Sequence, residues 1–161
     1  MTLAEKLGAR LKARRDVIVT AESCTGGWVA QELTAIAGSS AWFDRGFVTY
    51  SNAAKQEMLG VRAETLSRHG AVSEETASEM ARGALEHSGG TVALAITGIA
   101  GPTGGTAAKP VGTVCFAWTT KGRTPTAETR RFAGDREAVR RQSVDHVLAR
   151  VLELLDEAQS Q

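Results

Sequence analysis

Two nucleophiles stand side by side in the segment Val17-Ile18-Val19-Thr20-Ala21-Glu22-Ser23-Cys24-Thr25-Gly26-Gly27-Trp28. The β-branched start reads as a buried strand. Val29, Leu33 and Ile36 then recur at helical spacing until Gly38 stops the helix. Ser23 and Cys24 therefore fall on a strand-to-helix junction. The first helical turn has unpaired backbone N–H groups and the positive end of the dipole, a setting for an anion or a developing oxyanion. A thiol is the better intrinsic nucleophile and a helix N-terminus lowers its pKa. A cysteine is as often a small buried residue, so junction chemistry alone leaves Ser23 and Cys24 both open. Gly26 and Gly27 weaken the helix but let a ligand approach the backbone closely.

A base for either nucleophile has few sources. His69, His87 and His146 lie in or beside expected helices, away from the junction. Asn52 is expected to cap a short helix running to Leu59 and stopped by Gly60. Lys55 then sits in its first turn, where the dipole disfavours an ammonium and shielding from water would lower the pKa further. The ordinary reading of such a lysine is a solvated side chain.

A second stretch, Gly98-Ile99-Ala100-Gly101-Pro102-Thr103-Gly104-Gly105-Thr106, follows an apolar strand directly. It is neither a phosphate loop ending in Gly-Lys-Ser/Thr nor a dinucleotide fingerprint. Ligands bind at that edge of α/β sheets, although glycine and proline also mark plain turns. Arg136, Arg140 and Arg141 crowd the first two turns of the last helix. Cations are unfavourable there. A nearby anion would resolve the conflict, and so would simple exposure.

The positioning elements are alternating strands and helices. Helices are expected over 2–15, 25–37, 52–59, 63–69, from Ser73 to the Gly89-Gly90 pair, and from Arg136 to Leu155. Strands are expected over 17–21, 46–51, 91–97, 111–120 and 126–132. Such βα units predict a three-layer α/β/α sandwich with a mixed, mostly parallel sheet of about five strands, the last hairpin supplying the antiparallel part. Trp42 and Phe43 and the outer face of the last helix are candidate oligomer contacts.

At 161 residues with 42% hydrophobic and 23% charged content, the chain reads as a single domain over residues 1–161. A net charge of +1 gives no global field for nucleic acid or membrane. Two cysteines make no disulfide framework and suit a reduced, cytoplasmic setting. The N-terminal leucines are interspersed with charges, unlike a signal peptide, and no run approaches a membrane span. No cluster has zinc-like spacing, so neither metal nor cofactor is expected.

Several blocks taken together carry a resemblance. They are Ala21-Glu22-Ser23-Cys24-Thr25-Gly26-Gly27, Val48-Thr49-Tyr50-Ser51-Asn52 with Lys55, Gly70-Ala71-Val72-Ser73, Thr97-Gly98-Ile99-Ala100-Gly101-Pro102, Lys109-Pro110-Val111-Gly112-Thr113-Val114 and Gly134-Asp135-Arg136. In this order they resemble the signature of the CinA C-terminal domain family over essentially the whole chain. The resemblance implies a stand-alone member, a nicotinamide-nucleotide amidohydrolase without the extra N-terminal domain of two-domain relatives. It implies catalysis by Ser23, Tyr50 and Lys55, with Arg136 binding substrate. It implies a cytoplasmic homo-oligomer that acts on a pyridine mononucleotide in pyridine-nucleotide recycling. On that footing Thr25, Gly26 and Gly27 are the expected oxyanion donors. Thr97, Gly98, Gly101 and Gly104 are the expected contacts to the rest of the nucleotide. Two other readings stand beside this one: a non-catalytic nucleotide- or phosphate-binding module, and an amidase that uses Cys24.

Overall fold

The computed structural model describes residues 1–160. Helix α1 (Leu3–Arg14) leads into strand β1 (Ile18–Glu22), helix α2 (Trp28–Thr34), a 3-10 turn (Ser39–Ala41) and strand β2 (Phe43–Val48). Three helices follow, α3 (Asn52–Leu59), α4 (Ala63–His69) and α5 (Glu74–Glu86). Strands β3 (Val92–Gly98), β4 (Thr113–Thr120) and β5 (Thr126–Arg131) then precede α6 (Arg136–Ser160).

The five strands form one sheet in the order β2-β1-β3-β4-β5. β1 pairs parallel with both β2 and β3, and β4 pairs antiparallel with both β3 and β5. Four strands thus run one way and β4 alone runs the other, as a mixed, mostly parallel sheet requires.

Strand alternation divides the core between the two faces. Leu94, Ile96 and Phe116 pack with Leu7 and Leu11 of α1, Val29 and Leu33 of α2, and Val144, Val147 and Leu148 of α6. Burying each such leucine or isoleucine contributes roughly 1.5–3 kcal/mol. Ala93, Ala95 and Ala117 face the other way, against Met80, Ala81 and Ala84 of α5 and Leu59 of α3. The small residues on that face let α5 lie close to the sheet.

Four local expectations change. α2 begins at Trp28, because Gly26 and Gly27 adopt φ of +60° and +105° and break helical geometry. β2 spans Phe43–Val48, earlier than 46–51, because Ile18 pairs with Phe43 at the start of the ladder. The cap of α3 is Ser51, whose Oγ accepts the Ala54 N–H at 3.0 Å, and Asn52 is the first helical residue. Trp42 is buried over Gly8, where an added Cβ would meet its Cζ2 at 2.5 Å, so it serves the core and not an oligomer contact.

The register gathers the connections at one end of the sheet. Glu22 at the end of β1 pairs with Val48 and Ile96, Gly98 with Val114, and Arg131 with Thr113. The segments after β1, β2 and β3 and the start of α6 therefore converge there, at the carboxyl ends of the parallel strands, where α/β sheets bind ligands.

Candidate active site

Ser23 is the first residue past β1, and its backbone is held from both sides. Its N–H donates to the Ile96 carbonyl at 2.9 Å, and its own carbonyl accepts the Gly26 N–H at 3.0 Å. Lys55 reaches this position from α3. It is 1% exposed, and its Nζ lies 3.0 Å from Ser23 Oγ and 3.0 Å from the Thr49 carbonyl. Thr49 is itself tied to β1, its N–H donating to the Glu22 carbonyl at 2.8 Å. Burial holds the Lys55 pKa below the ordinary lysine value, with the neighbouring Cys24 acting in the other direction. The lysine is therefore not the solvated side chain its sequence position ordinarily suggests.

Cys24 stands next to Ser23 but is buried, and burial pushes its thiol up to about 12. At neutral pH the sulfur is a thiol and a poor nucleophile.

A cleft of about 280 Å³ opens over Ser23, Cys24 and Lys55. Tyr50, Asn52 and Arg136 form part of its wall, and Thr97, Gly98, Gly101 and Gly104 another part. Arg136 ties the two parts together: it donates to the Gly101 carbonyl at 2.8 Å and to Tyr50 Oη at 3.0 Å. The Tyr50 hydroxyl thus pairs with Arg136 and not with Lys55, which places it apart from the serine–lysine contact. Thr97 Oγ1 donates to the Ala71 carbonyl at 2.8 Å and fixes the floor. Gly101 has φ of +85°, and a Cβ there would lie 2.5 Å from Val111 Cγ1, so the loop needs glycine at this point.

Thr25, Gly26 and Gly27 do not line the cleft. Thr25 is instead turned inward to Glu22, a residue to which the sequence assigned no role. Glu22 is 1% exposed, and its carboxylate accepts the Thr25 hydroxyl at 2.6 Å, the Val29 N–H at 2.9 Å and the Ala30 N–H at 3.1 Å. The anion expected at the α2 N-terminus is thus supplied from within the chain. The available signal was an acidic residue ending an otherwise apolar buried strand, three positions before a threonine and seven before an apolar helical residue.

The basic start of α6 is likewise satisfied internally. Arg140 donates to the carbonyls of Cys24 and Thr25, and Arg141 to Glu32 Oε1 at 3.1 Å. A second hollow of about 310 Å³ lies at the opposite end of the sheet, lined in part by Arg14, Asp16, Trp118 and Arg123. It is lined by no serine or cysteine, and the chemistry described above is all at the first cleft.

A buried amine against a serine at the carboxyl end of a mixed α/β sheet defines a chain equipped for nucleophilic chemistry on a small polar ligand. The chain belongs to the CinA C-terminal domain family, whose model matches residues 1–155. Among its relatives is the nicotinamide-nucleotide amidohydrolase PncC of Escherichia coli (strain K12), 57% identical over 148 residues that cover 92% of this chain and 90% of that protein. The protein of the same name from Pseudomonas putida is 51% identical over 153 residues, covering 95% of each. The crystal structure of a competence-damaged protein (CinA) superfamily member from Klebsiella pneumoniae superposes with a TM-score of 0.93 at 45% identity, covering 96% of each chain. No helix among the described residues is long and apolar enough to cross a membrane.

Proposed function

We propose that this chain hydrolyses the carboxamide of nicotinamide mononucleotide to nicotinate mononucleotide and ammonia, with Ser23 as nucleophile and Lys55 as its base. The observation that carries the mechanism is the buried Lys55 Nζ at 3.0 Å from Ser23 Oγ. The names of the E. coli and P. putida relatives support the substrate.

An amide carbonyl is a poor electrophile, so the site must supply an activated nucleophile, charge stabilisation and a proton for the leaving amine. A neutral lysine amine has two N–H donors and one lone pair. One N–H goes to the Thr49 carbonyl, which aims the lone pair at the Ser23 hydroxyl. Lys55 takes the hydroxyl proton as Oγ attacks the carboxamide carbon. The resulting ammonium gives that proton to the departing nitrogen, and ammonia leaves an acyl ester on Ser23. Water then attacks the ester with Lys55 again as base, releasing the carboxylate product and restoring the serine.

The raised thiol pKa of Cys24 favours serine over cysteine as the nucleophile. Arg136, exposed at the mouth of the cleft, is the cation suited to the 5′-phosphate, and its grip on Gly101 sets the shape of the loop facing the nucleotide. Ammonia release, measured on nicotinamide mononucleotide and on free nicotinamide, tests the reading. Turnover of the mononucleotide that survives Cys24→Ala and disappears in Ser23→Ala supports it. Turnover that persists in Ser23→Ala overturns it.

A further inference from the structure

We propose that Arg140 is a positioning residue for the nucleophile turn, an inference that rests on the serine–lysine reading above. Arg140 lies one helical turn beyond Arg136 on the same side of α6. Its Nε donates to the Cys24 carbonyl at 3.1 Å and its Nη2 to the Thr25 carbonyl at 3.2 Å. Its guanidinium carbon sits 5.3 Å from the centroid of the Trp28 ring, which braces it from the start of α2. From the sequence, either a nearby anion or simple exposure could account for this basic turn. Its neighbour Arg141 meets the carboxylate of Glu32, whereas Arg140 donates through Nε and Nη2 to two consecutive backbone oxygens of the segment that carries Ser23.

The consequence follows from peptide geometry. A trans peptide is planar, so fixing its carbonyl fixes the opposite direction for the N–H on the same unit. Holding the Cys24 carbonyl sets the Thr25 N–H. Holding the Thr25 carbonyl sets the Gly26 N–H, which closes the turn by donating to the Ser23 carbonyl at 3.0 Å. Gly26 and Gly27 have positive φ and little intrinsic preference for this conformation, so the turn needs an external restraint. Glu22 anchors the turn from the N–H side through Thr25 and α2, and Arg140 anchors it from the carbonyl side. The planar fork suits two adjacent acceptors, which the point charge of a lysine does not. Through this clamp α6 sets the direction of Ser23 Oγ relative to Lys55 without touching substrate.

The test compares Arg140→Ala and Arg140→Lys with the parent chain. Ammonia release from nicotinamide mononucleotide gives kcat and KM, and covalent labelling of Ser23 by an alkyl fluorophosphonate is followed by intact mass, with Ser23→Ala as blank. Circular dichroism melts fix the folded fraction. Both variants are expected to lose about hundredfold in kcat, the size of effect a 1 Å misplacement produces, with KM within about threefold. Labelling of Ser23 should slow in parallel, and millimolar guanidinium should restore part of the rate in Arg140→Ala. Labelling at the parental rate in both folded variants overturns the inference, as does a rise in KM at constant kcat, which would make Arg140 a substrate ligand. A parent chain that releases no ammonia but labels at Ser23 overturns the amidase reading alone, because labelling still reports on Arg140. A parent chain whose Ser23 resists labelling overturns both.

Discussion

Lys55 Nζ and Ser23 Oγ meet at 3.0 Å although 32 positions separate them in the chain. The contact exists because β1 and β2 are parallel neighbours, so the residues that follow each strand emerge at the same end of the sheet. α3 starts within a few residues of β2 and turns its lysine back over β1. On the proposed mechanism, removing either partner removes the activated nucleophile. Ser23→Ala and Lys55→Met are each expected to lower kcat by at least about 10³, and the double variant should be little worse than either single one, since the two act as a unit. Steady-state ammonia release on folded variants checks this.

Buried Lys55 also ties activity and stability to pH. Its pKa is lowered by desolvation, so the amine is neutral, and competent as a base, above that lowered value. kcat should therefore rise with pH along a limb that lies below the ordinary lysine range, and the limb should vanish with Lys55→Met. For stability the sign follows from linkage: between the lowered folded value and the unfolded value of 10.5, the unfolded chain binds more protons, so stability rises with pH. The thermal advantage of Lys55→Met over the parent should be largest in acid and shrink as pH climbs toward the ordinary lysine value. Melting curves across pH 6–10 read this directly, and a difference constant with pH would contradict the buried amine.

Glu22 offers a separate prediction because its carboxylate serves three donors at once. Glu22→Gln keeps the size but presents an NH2 group to backbone N–H groups that need an acceptor. Leaving buried donors unsatisfied costs about 1–3 kcal/mol each. A total loss of about 2–4 kcal/mol corresponds to a fall in Tm of roughly 5–15 °C for a chain of this size. Differential scanning calorimetry checks it, and an unchanged Tm would show that α2 does not depend on this cap.

The sheet and its helices were legible because they follow local rules, whereas Ser23, Tyr50, Lys55 and Arg136 were joined into one site only by the family resemblance. Val17–Val19 and Thr91–Thr97 announce strands and Gly60 announces a helix end, whereas α2 stops at Thr34, short of Gly38, which caps the 3-10 turn instead. What the sequence hid is long-range. Lys55 looked solvated because no local signal reports that α3 folds down over Ser23, and its burial depends on strand pairing many residues away. Glu22 was given no role because its partners, Thr25 and the N–H groups of Val29 and Ala30, meet it only once the turn into α2 has folded. The cluster Arg136, Arg140 and Arg141 left a nearby anion and simple exposure both open, whereas two of its members bind carbonyls contributed by loops more than thirty positions away. β2 shifted because its boundary is set by the register with β1, a cross-strand property.

Tyr50 separates two roles that its motif alone merges. Its hydroxyl pairs with Arg136 at 3.0 Å and is 62% exposed at residue level. Tyr50→Phe removes one partly solvated hydrogen bond, worth about 0.5–1.5 kcal/mol, so it is expected to lower kcat/KM by less than about tenfold. A general acid–base residue in the proton path would cost about 10²–10⁴. Arg136→Ala should raise KM more than Tyr50→Phe does, because it frees the Gly101 loop as well. Kinetics of the two single variants and their combination measure the coupling between them.

The placement of Lys55 depends on how closely α3 lies against α5. At Gly83 of α5 an added Cβ would fall 1.9 Å from the carbonyl oxygen of Leu59, the last residue of α3. That oxygen is backbone, so no side-chain rotation relieves the clash, and α3 must move as a body. Gly83→Ala raises intrinsic helix propensity by nearly 1 kcal/mol, yet overpacking of this kind costs about 1–3 kcal/mol, so the net change is expected to be destabilising. The displaced helix carries Lys55 with it, and kcat should fall by about tenfold or more although Gly83 does not line the cleft. Chemical denaturation together with ammonia release checks both effects. A variant with lowered stability and parental kcat would mean that Lys55 holds its place through Ser23 and Thr49 without the support of α5.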